Sequence, residues 1–182
     1  MSLSLLPWAL AFVGVAWALG AYNRLVRLRA EVNTAFAAVD GELQPLARLV
    51  DDMLDGIDPD DEDRQEPSDQ FLAPIRDASA ALSAALVAAR ARPLEGLRIQ
   101  ALREAGEVWA RAWDRAERAD AHDLAGPQLP ETVSTERALR LKQAEVIGSQ
   151  FNAAVDRYNR AIGQFPAVII ALTFKFKSAS NL

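Results

Sequence analysis

The chain begins with an uncharged segment that is long enough to cross a lipid bilayer. From Ser2 to Tyr22 the sequence reads SLSLLPWALAFVGVAWALGAY, without a single Asp, Glu, Lys or Arg. A helix needs roughly 20 apolar residues to span the hydrocarbon core. Trp8 and Trp17 lie toward the ends of the segment, where membrane spans carry their aromatic belts. We therefore predict a transmembrane anchor over residues 1–22.

Two other interpretations of this segment stay open, a buried core helix and a cleaved signal peptide. Ala16-Trp17-Ala18 resembles the small-x-small pattern of a cleavage site. A signal peptide ordinarily begins with basic residues, however, and residues 1–7 carry no charged side chain. A retained single-pass anchor fits the segment better.

The charges beside the segment predict its orientation. Arg24, Arg27 and Arg29 follow it directly, whereas only the α-amino group precedes it. Basic residues are enriched on the cytoplasmic side of membrane spans. We therefore expect a protein of the cell membrane, with the N-terminus outside and the rest of the chain in the cytoplasm.

The composition argues against several classes of function. The chain has no cysteine, a single histidine (His122) and a net charge of −5, so disulfides, thiolate chemistry and nucleic-acid binding are not expected. It has neither the Glu-x-x-His pairs of bundle metalloenzymes nor a glycine-rich phosphate loop. We predict no enzyme activity, no metal and no cofactor, and we expect His122 in an exposed loop.

The remaining sequence has the pattern of amphipathic helices. Alanine is abundant and β-branched residues are few, which favours helix. Spacings of three and four, close to a heptad, relate the residues of the first apolar stripe: Leu25, Leu28, Val32, Phe36, Val39, Leu43, Leu46, Val50 and Met53. We predict four helices, over about 23–54, 70–91, 94–121 and 132–165. Short connections between them predict an all-α fold in which the transmembrane helix continues into an antiparallel four-helix bundle over residues 23–166.

Two features inside the bundle region suggest sites. The acidic run DGIDPDDEDRQEP, from Asp55 to Pro67, lacks the turn glycine and the closing glutamate of a calcium-binding EF-hand loop, so we interpret it as a solvated loop. Trp109 and Trp113 lie one helical turn apart. They are typical of core or groove residues and, if exposed, become candidates for a partner-binding surface.

Two stretches resemble the LemA family. FNAAVDRYNRAIGQFPAVIIA, from Phe151 to Ala171, closely resembles its C-terminal signature, and YNRLVRLRAEVNTAFAAVDGELQ, from Tyr22 to Gln44, resembles its N-terminal one. The resemblance implies an N-terminal anchor and an antiparallel helical bundle, but no reaction, because the molecular role of the family is poorly defined. Lys175 stands where the family has a glycine, PLARLV stands where it has Asp-Leu-Ile-Pro-Asn-Leu-Val, and its Glu-x-Tyr-Pro-x-Leu segment is absent. The chain is thus identified as a divergent member.

The two signatures predict a register between the first and last helices. If the last helix ends level with the membrane surface, equal rises per residue place Asn33 opposite Asn152 and Phe36 opposite Phe151. We hypothesise that the two asparagines meet at the helix interface and fix the register, as buried polar residues do in coiled coils. The alternative is that both amides face solvent.

The tail over residues 167–182, AVIIALTFKFKSASNL, is apolar and then basic. The same register returns it to the membrane surface, where apolar side chains can enter the interface and basic ones can meet anionic headgroups. The predicted membrane-surface residues are Tyr22, Arg24, Arg27, Arg29, Ile169, Ile170, Phe174, Lys175, Phe176 and Lys177. The alternative is that the tail packs as an extended segment on the bundle.

These features favour a membrane-anchored scaffold or adaptor that presents a helical surface to an unidentified protein, which could itself be a membrane protein. The alternative function is a membrane-organising protein that acts through homo-oligomers and lipid contact. Beyond the lipid bilayer, the sequence identifies no partner.

Overall fold

The fold consists of helices and short connections. The computed structural model describes residues 5–55, 69–122, 129–165 and 167–182, and these ranges contain no β-strand. The helices are α1 (Leu5–Asp55), α2 (Asp69–Ala91), α3 (Gly96–His122), α4 (Glu131–Gly163) and α5 (Ala167–Thr173). The prediction of an all-α bundle behind a long apolar helix is confirmed. The acidic run falls mostly on residues 56–68, which lie outside the described ranges, as does the side chain of His122.

Helix α1 is continuous but has two different environments. Phe12 is 75% exposed and the other large apolar side chains from Trp8 to Leu19 are also exposed, whereas Leu25 is fully buried. From Leu25 to Val50 the predicted apolar stripe faces the other helices, while the earlier residues extend beyond the bundle. Pro45 lies inside α1 without ending it, although it cannot donate the backbone hydrogen bond of an ordinary helical residue.

The N-terminal part of α1 is not a core helix of this bundle. Among the described helices, α1 and α2 are both long and apolar enough to cross a membrane, but only 6% of the apolar window of α1 is buried, compared with 33% in α2. The exposed part of α1 is therefore a candidate membrane span or signal sequence, whereas α2 packs into the bundle.

The bundle is antiparallel. Phe36 of α1 contacts Phe151 of α4, and Glu31 approaches Arg157, so residue numbers rise along one helix as they fall along the other. A short turn joins α2 to α3, and Trp109 of α3 donates a hydrogen bond back to Ser79 of α2. Alanines on both helices are buried, which allows close approach.

The packing leaves one gap. Helix α1 packs against α2, α4 and α5, and α2 packs against α3, but the backbones of α3 and α4 do not approach each other over the ranges described. Helix α3 begins at Gly96, two residues later than predicted, because Arg92 to Glu95 form the turn after α2. The opening between α3 and α4 is where the C-terminal residues lie.

Candidate functional site

The turn after α5 directs the chain back toward the bundle. The amide of Phe176 donates to the carbonyl of Ala171 at 2.9 Å, and that of Lys175 to Leu172 at 3.4 Å. These two bonds are those of a Schellman motif, in which the residue after the helix takes a left-handed conformation and is usually glycine. Lys175 holds this position with φ of 55° and is the one non-glycine residue with positive φ in the described chain.

Two asparagines of α4 bind the backbone of the extended segment that follows. Asn159 Nδ2 donates to the Ala179 carbonyl at 2.8 Å, and its Oδ1 accepts from the Ala179 amide at 2.9 Å. Asn152 repeats this pattern with Leu182, at 3.3 Å and 2.8 Å. We call these two residues, with the backbone that they bind, the asparagine clamp.

Further contacts fix the same segment between α4 and the start of α3. The hydroxyl of the buried Tyr158 donates to the Lys177 carbonyl at 2.9 Å. Burial raises the pKa of Tyr158, and the positive charge of Arg29 offsets part of this increase. Toward α3, a Cβ on Gly96 would lie only 2.5 Å from Ser180 Oγ. Residues 176–182 therefore pack as an extended segment on the bundle, which was the alternative prediction for this part of the tail.

An aromatic cluster joins this segment to the inner end of the apolar half of α1. The Tyr22 ring lies 4.9 Å from that of Phe174 and 6.1 Å from that of Phe176, measured between centroids. Beside the cluster, α5 leaves Ile169 53% exposed and Leu172 76% exposed. The turn after α5 thus lies level with Tyr22, where the membrane surface was predicted.

The predicted membrane-surface residues do not all occupy similar positions. Arg24 and Arg27 are exposed on α1, and Arg27 lies 4.0 Å from Glu31. Ile170 is half-buried against the core, unlike its exposed neighbour Ile169. Arg29, Lys175 and Lys177 instead line a cavity.

This cavity has a volume of about 390 Å³ and opens next to the aromatic cluster. We call it the cationic cavity. Four separate parts of the chain supply its polar lining: Arg29 and Asn33 from α1, Arg92 and Glu95 from the turn after α2, Tyr158 from α4, and Lys175 and Lys177 from the tail. Arg98 Nε donates to Glu95 at 2.6 Å and lowers the pKa of that carboxyl.

The predicted register is found for the phenylalanines but not for the asparagines. The Phe36 and Phe151 rings meet edge to face, with centroids 5.8 Å apart, and both are buried. Asn33, in contrast, is exposed and lines the cationic cavity, whereas Asn152 binds Leu182. The hypothesis of an Asn33–Asn152 pair is wrong because the amide of Asn152 binds the tail backbone.

The tryptophans do not form a partner-binding surface. Trp109 is 2% exposed and Trp113 is fully buried, with ring centroids 5.8 Å apart. The guanidinium of Arg137 covers the Trp113 ring at 5.5 Å and pairs with Glu117 through contacts of 2.6 and 3.1 Å. Both tryptophans are core residues, and the exposed position considered for them is wrong.

A second, apolar cavity of about 220 Å³ continues the opening between α3 and α4 beyond the end of the tail. We call it the α3–α4 cleft. Helices α1 to α4 each contribute to it, with Leu43, Leu82, Leu102 and Leu141 in its lining, and Leu182 also lines it. The cleft is therefore lined mainly by apolar side chains, and the tail occupies the space next to it.

The described residues contain no cluster of three or more His, Cys, Asp or Glu side chains that could hold a metal ion. No family model, curated protein or solved structure matches the chain.

Sequence reasoning missed Asn159 and the hydrogen bonds by which α4 holds the packed tail. A signal was present, since Asn152 and Asn159 are seven residues apart and lie on one face of α4. Nothing in the sequence, however, identifies backbone groups of the tail as their partners.

Proposed function

We propose that this protein is a single-pass, membrane-anchored scaffold of the LemA type, which holds a rigid helical bundle at the cytoplasmic surface of the cell membrane and binds a protein partner there. The observation that carries the proposal is the continuity of α1. Its exposed apolar segment and its buried amphipathic part belong to one helix from Leu5 to Asp55. A hinge between anchor and bundle is absent from this helix.

This continuity has a mechanical consequence. A helix of 51 residues is about 75 Å long at 1.5 Å per residue. Since its second part packs against α2 and α4, the anchor cannot change direction without moving the bundle. A scaffold benefits from such a connection, because it keeps a bound partner at a fixed height above the lipid.

The arrangement of the LemA-like stretches supports the same proposal. The stretch after the apolar segment lies on α1, and the C-terminal stretch lies on α4 and α5, and these elements pack together. The two stretches thus form one structural unit next to the predicted membrane surface.

We place the partner-binding surface at the α3–α4 cleft and infer an extended apolar peptide segment as its ligand. The chain's own residues 176–182 occupy the neighbouring space in an extended conformation, so the spacing between the two helices accepts such a segment. Gly106 and Ala110 on α3 face Ala144 and Gly148 on α4 across the cleft, and these small side chains leave room for larger ones.

Membrane anchoring is tested with single cysteines, because the natural chain contains none. In intact cells, a membrane-impermeant maleimide should label S2C but not S149C, which lies on an exposed part of α4. After cell lysis both cysteines should react. Both variants should also stay in the membranes when these are extracted with alkaline carbonate. Recovery of the chain in the soluble fraction would contradict the proposal.

Partner binding is tested by photocrosslinking in native membranes. A benzoylphenylalanine at Arg103, which is exposed and lines the cleft, is compared with one at Val87, which is exposed on α2. A crosslink from position 103 alone to a defined segment of one other protein supports the scaffold. Crosslinks that form only multiples of the chain itself favour the membrane-organising alternative, which the exposed Leu172 of α5 also supports.

A further inference from the structure

We propose that the cationic cavity binds a phosphate group, in the form of an anionic lipid headgroup or of a small soluble phosphate ester. The proposal deepens the membrane-anchored function, on which its choice of lipid rests. It depends on three observations, namely the convergence of cations from distant parts of the chain, the backbone conformation of Lys175 and the position of the cavity relative to the apolar part of α1.

The first observation is an excess of positive charge. Arg29, Arg92, Lys175 and Lys177 line the cavity together with a single carboxylate, that of Glu95. Glu95 is already occupied, since Arg98 binds it at 2.6 Å and Arg92 lies 3.7 Å from it. Over the part of the chain that the structure describes, Arg29 and Lys175 make no ion pair. Their charges are therefore available to an anion.

The lining also has the chemistry that phosphate requires. A guanidinium presents several N–H donors to phosphate oxygens, while lysine supplies point charges on flexible stems. The exposed amide of Asn33 adds a neutral donor at the same cavity. Tyr158 also lines it, but its hydroxyl hydrogen is bound by the Lys177 carbonyl, and this bond holds the tail lysines in place.

The second observation concerns Lys175. It occupies the left-handed position of the Schellman motif, with φ of 55°, where a residue with a Cβ is less favourable than glycine. The chain thus holds a cation at the cavity in a backbone conformation that destabilises the fold. Binding of an anion explains why lysine, and not glycine, occupies this position.

The third observation is the position of the cavity relative to the predicted membrane surface. Arg29 follows Tyr22 by seven residues, which is about 10 Å along a helix, and Tyr22 lies where the exposed apolar part of α1 ends. The headgroup layer on each side of the hydrocarbon core is roughly 5 to 8 Å thick. The backbone of Arg29 therefore lies about 2 to 5 Å outside the headgroup layer, whereas the turn that carries Lys175 lies level with Tyr22. The lining of the cavity thus extends across the level of the lipid phosphates.

The test uses the full chain in non-ionic detergent micelles and native mass spectrometry. Phosphatidylglycerol and phosphatidylcholine are supplied at equal concentration, and glycerol 3-phosphate provides the soluble arm. We expect each chain to bind one molecule of phosphatidylglycerol, with a binding constant about tenfold higher than that for phosphatidylcholine. The double variant K175Q/K177Q should lose most of this preference.

Controls separate site binding from general charge and from unfolding. K142Q removes one lysine charge from an exposed position on α4 and should keep the preference. K175G should weaken binding while raising the thermal midpoint of unfolding, because glycine adopts the left-handed conformation without strain. A loss of binding in a more stable protein cannot result from misfolding.

Each outcome decides the proposal or the source of the phosphate. Binding of glycerol 3-phosphate with the same sensitivity to K175Q/K177Q supports a site open to soluble esters, and binding of phosphatidylglycerol alone supports a lipid site. Equal affinity for both lipids together with no binding of glycerol 3-phosphate, or an equal loss in K142Q, would overturn the proposal. The anchoring experiment with S2C and S149C is independent, since K175Q/K177Q should remain in the membrane fraction.

Discussion

Asn152 and Leu182 are joined by two hydrogen bonds, in which the side-chain amide of the asparagine both donates to and accepts from the backbone of the leucine. Asn159 and Ala179 form the same pair. The two asparagines are seven residues apart on a helix, a rise of about 10.5 Å, and the tail residues are three apart on an extended chain, about 10 Å. The spacings match, so each asparagine of α4 binds the backbone of one tail residue.

We expect N159A to release the tail from α4. The substitution removes both bonds to Ala179, whose side chain is buried, and a net contribution of about 1 kcal/mol per bond predicts a loss of about 2 kcal/mol. Urea unfolding of the full chain in detergent micelles measures this loss. Hydrogen exchange of the Ala179 amide should become faster in the folded protein, because its acceptor is gone.

Asn33 provides the control for this change. It is an exposed asparagine on α1, so N33A should alter the free energy of unfolding by no more than about 0.5 kcal/mol. Unchanged protection of the Ala179 amide in N159A would show that the asparagine clamp does not hold the tail.

The sequence predicted those parts of the fold that depend on periodic burial. The stripe from Leu25 to Val50 repeats every three to four residues, and burial of one helix face is enough to explain it. The contact of Phe36 with Phe151 follows once the end of the last helix is placed level with Tyr22, since equal rises per residue then set which residues lie opposite each other. These predictions required only helix geometry.

Contacts between a side chain and a distant backbone could not be predicted in this way. Asn152 has no property in the sequence that distinguishes a partner on α1 from one in the tail. Trp113 is equally ambiguous, because a large aromatic residue is typical both of a core and of a binding surface. One residue that covers its ring is Arg137, which comes from another helix.

Replacement of Lys175 by glycine should stabilise the protein. A residue with a Cβ costs about 1 kcal/mol or more in the left-handed conformation, and Lys175 adopts it with φ of 55°. We expect K175G to raise the free energy of unfolding by about 1 kcal/mol, as measured in urea. K177G is the matched control at an extended position, where glycine should be destabilising; stabilisation by both variants would contradict the interpretation.

The Arg137–Glu117 pair should contribute more than a surface ion pair. Arg137 is only 11% exposed at its side chain and joins α4 to α3, where the two backbones do not approach each other. Exposed pairs contribute up to about 1 kcal/mol, whereas breaking a buried pair costs 3 to 5 kcal/mol. For this partly buried pair we expect R137M to cost about 2 kcal/mol.

The same helix offers a comparison for R137M. Arg140 pairs with Glu136 one turn away, and both side chains are more exposed, so R140M should cost no more than about 0.5 kcal/mol. Urea unfolding at low and high salt measures both variants. Equal losses in R137M and R140M would mean that Arg137 does not connect α3 to α4.

The contribution of the turn between α2 and α3 to the stability of the protein should depend on pH through Glu95. Arg98 lowers the pKa of this carboxyl below its ordinary value of 4.5, so the folded state favours the ionised form. The resulting stabilisation is complete above pH 4.5 and is lost as the pH falls through the lowered pKa. E95Q removes the titrating group but keeps a side chain of similar size. Urea midpoints should therefore differ between the natural chain and E95Q at pH 7 and converge toward pH 3, whereas a difference that stays constant over this range would exclude Glu95 as its source.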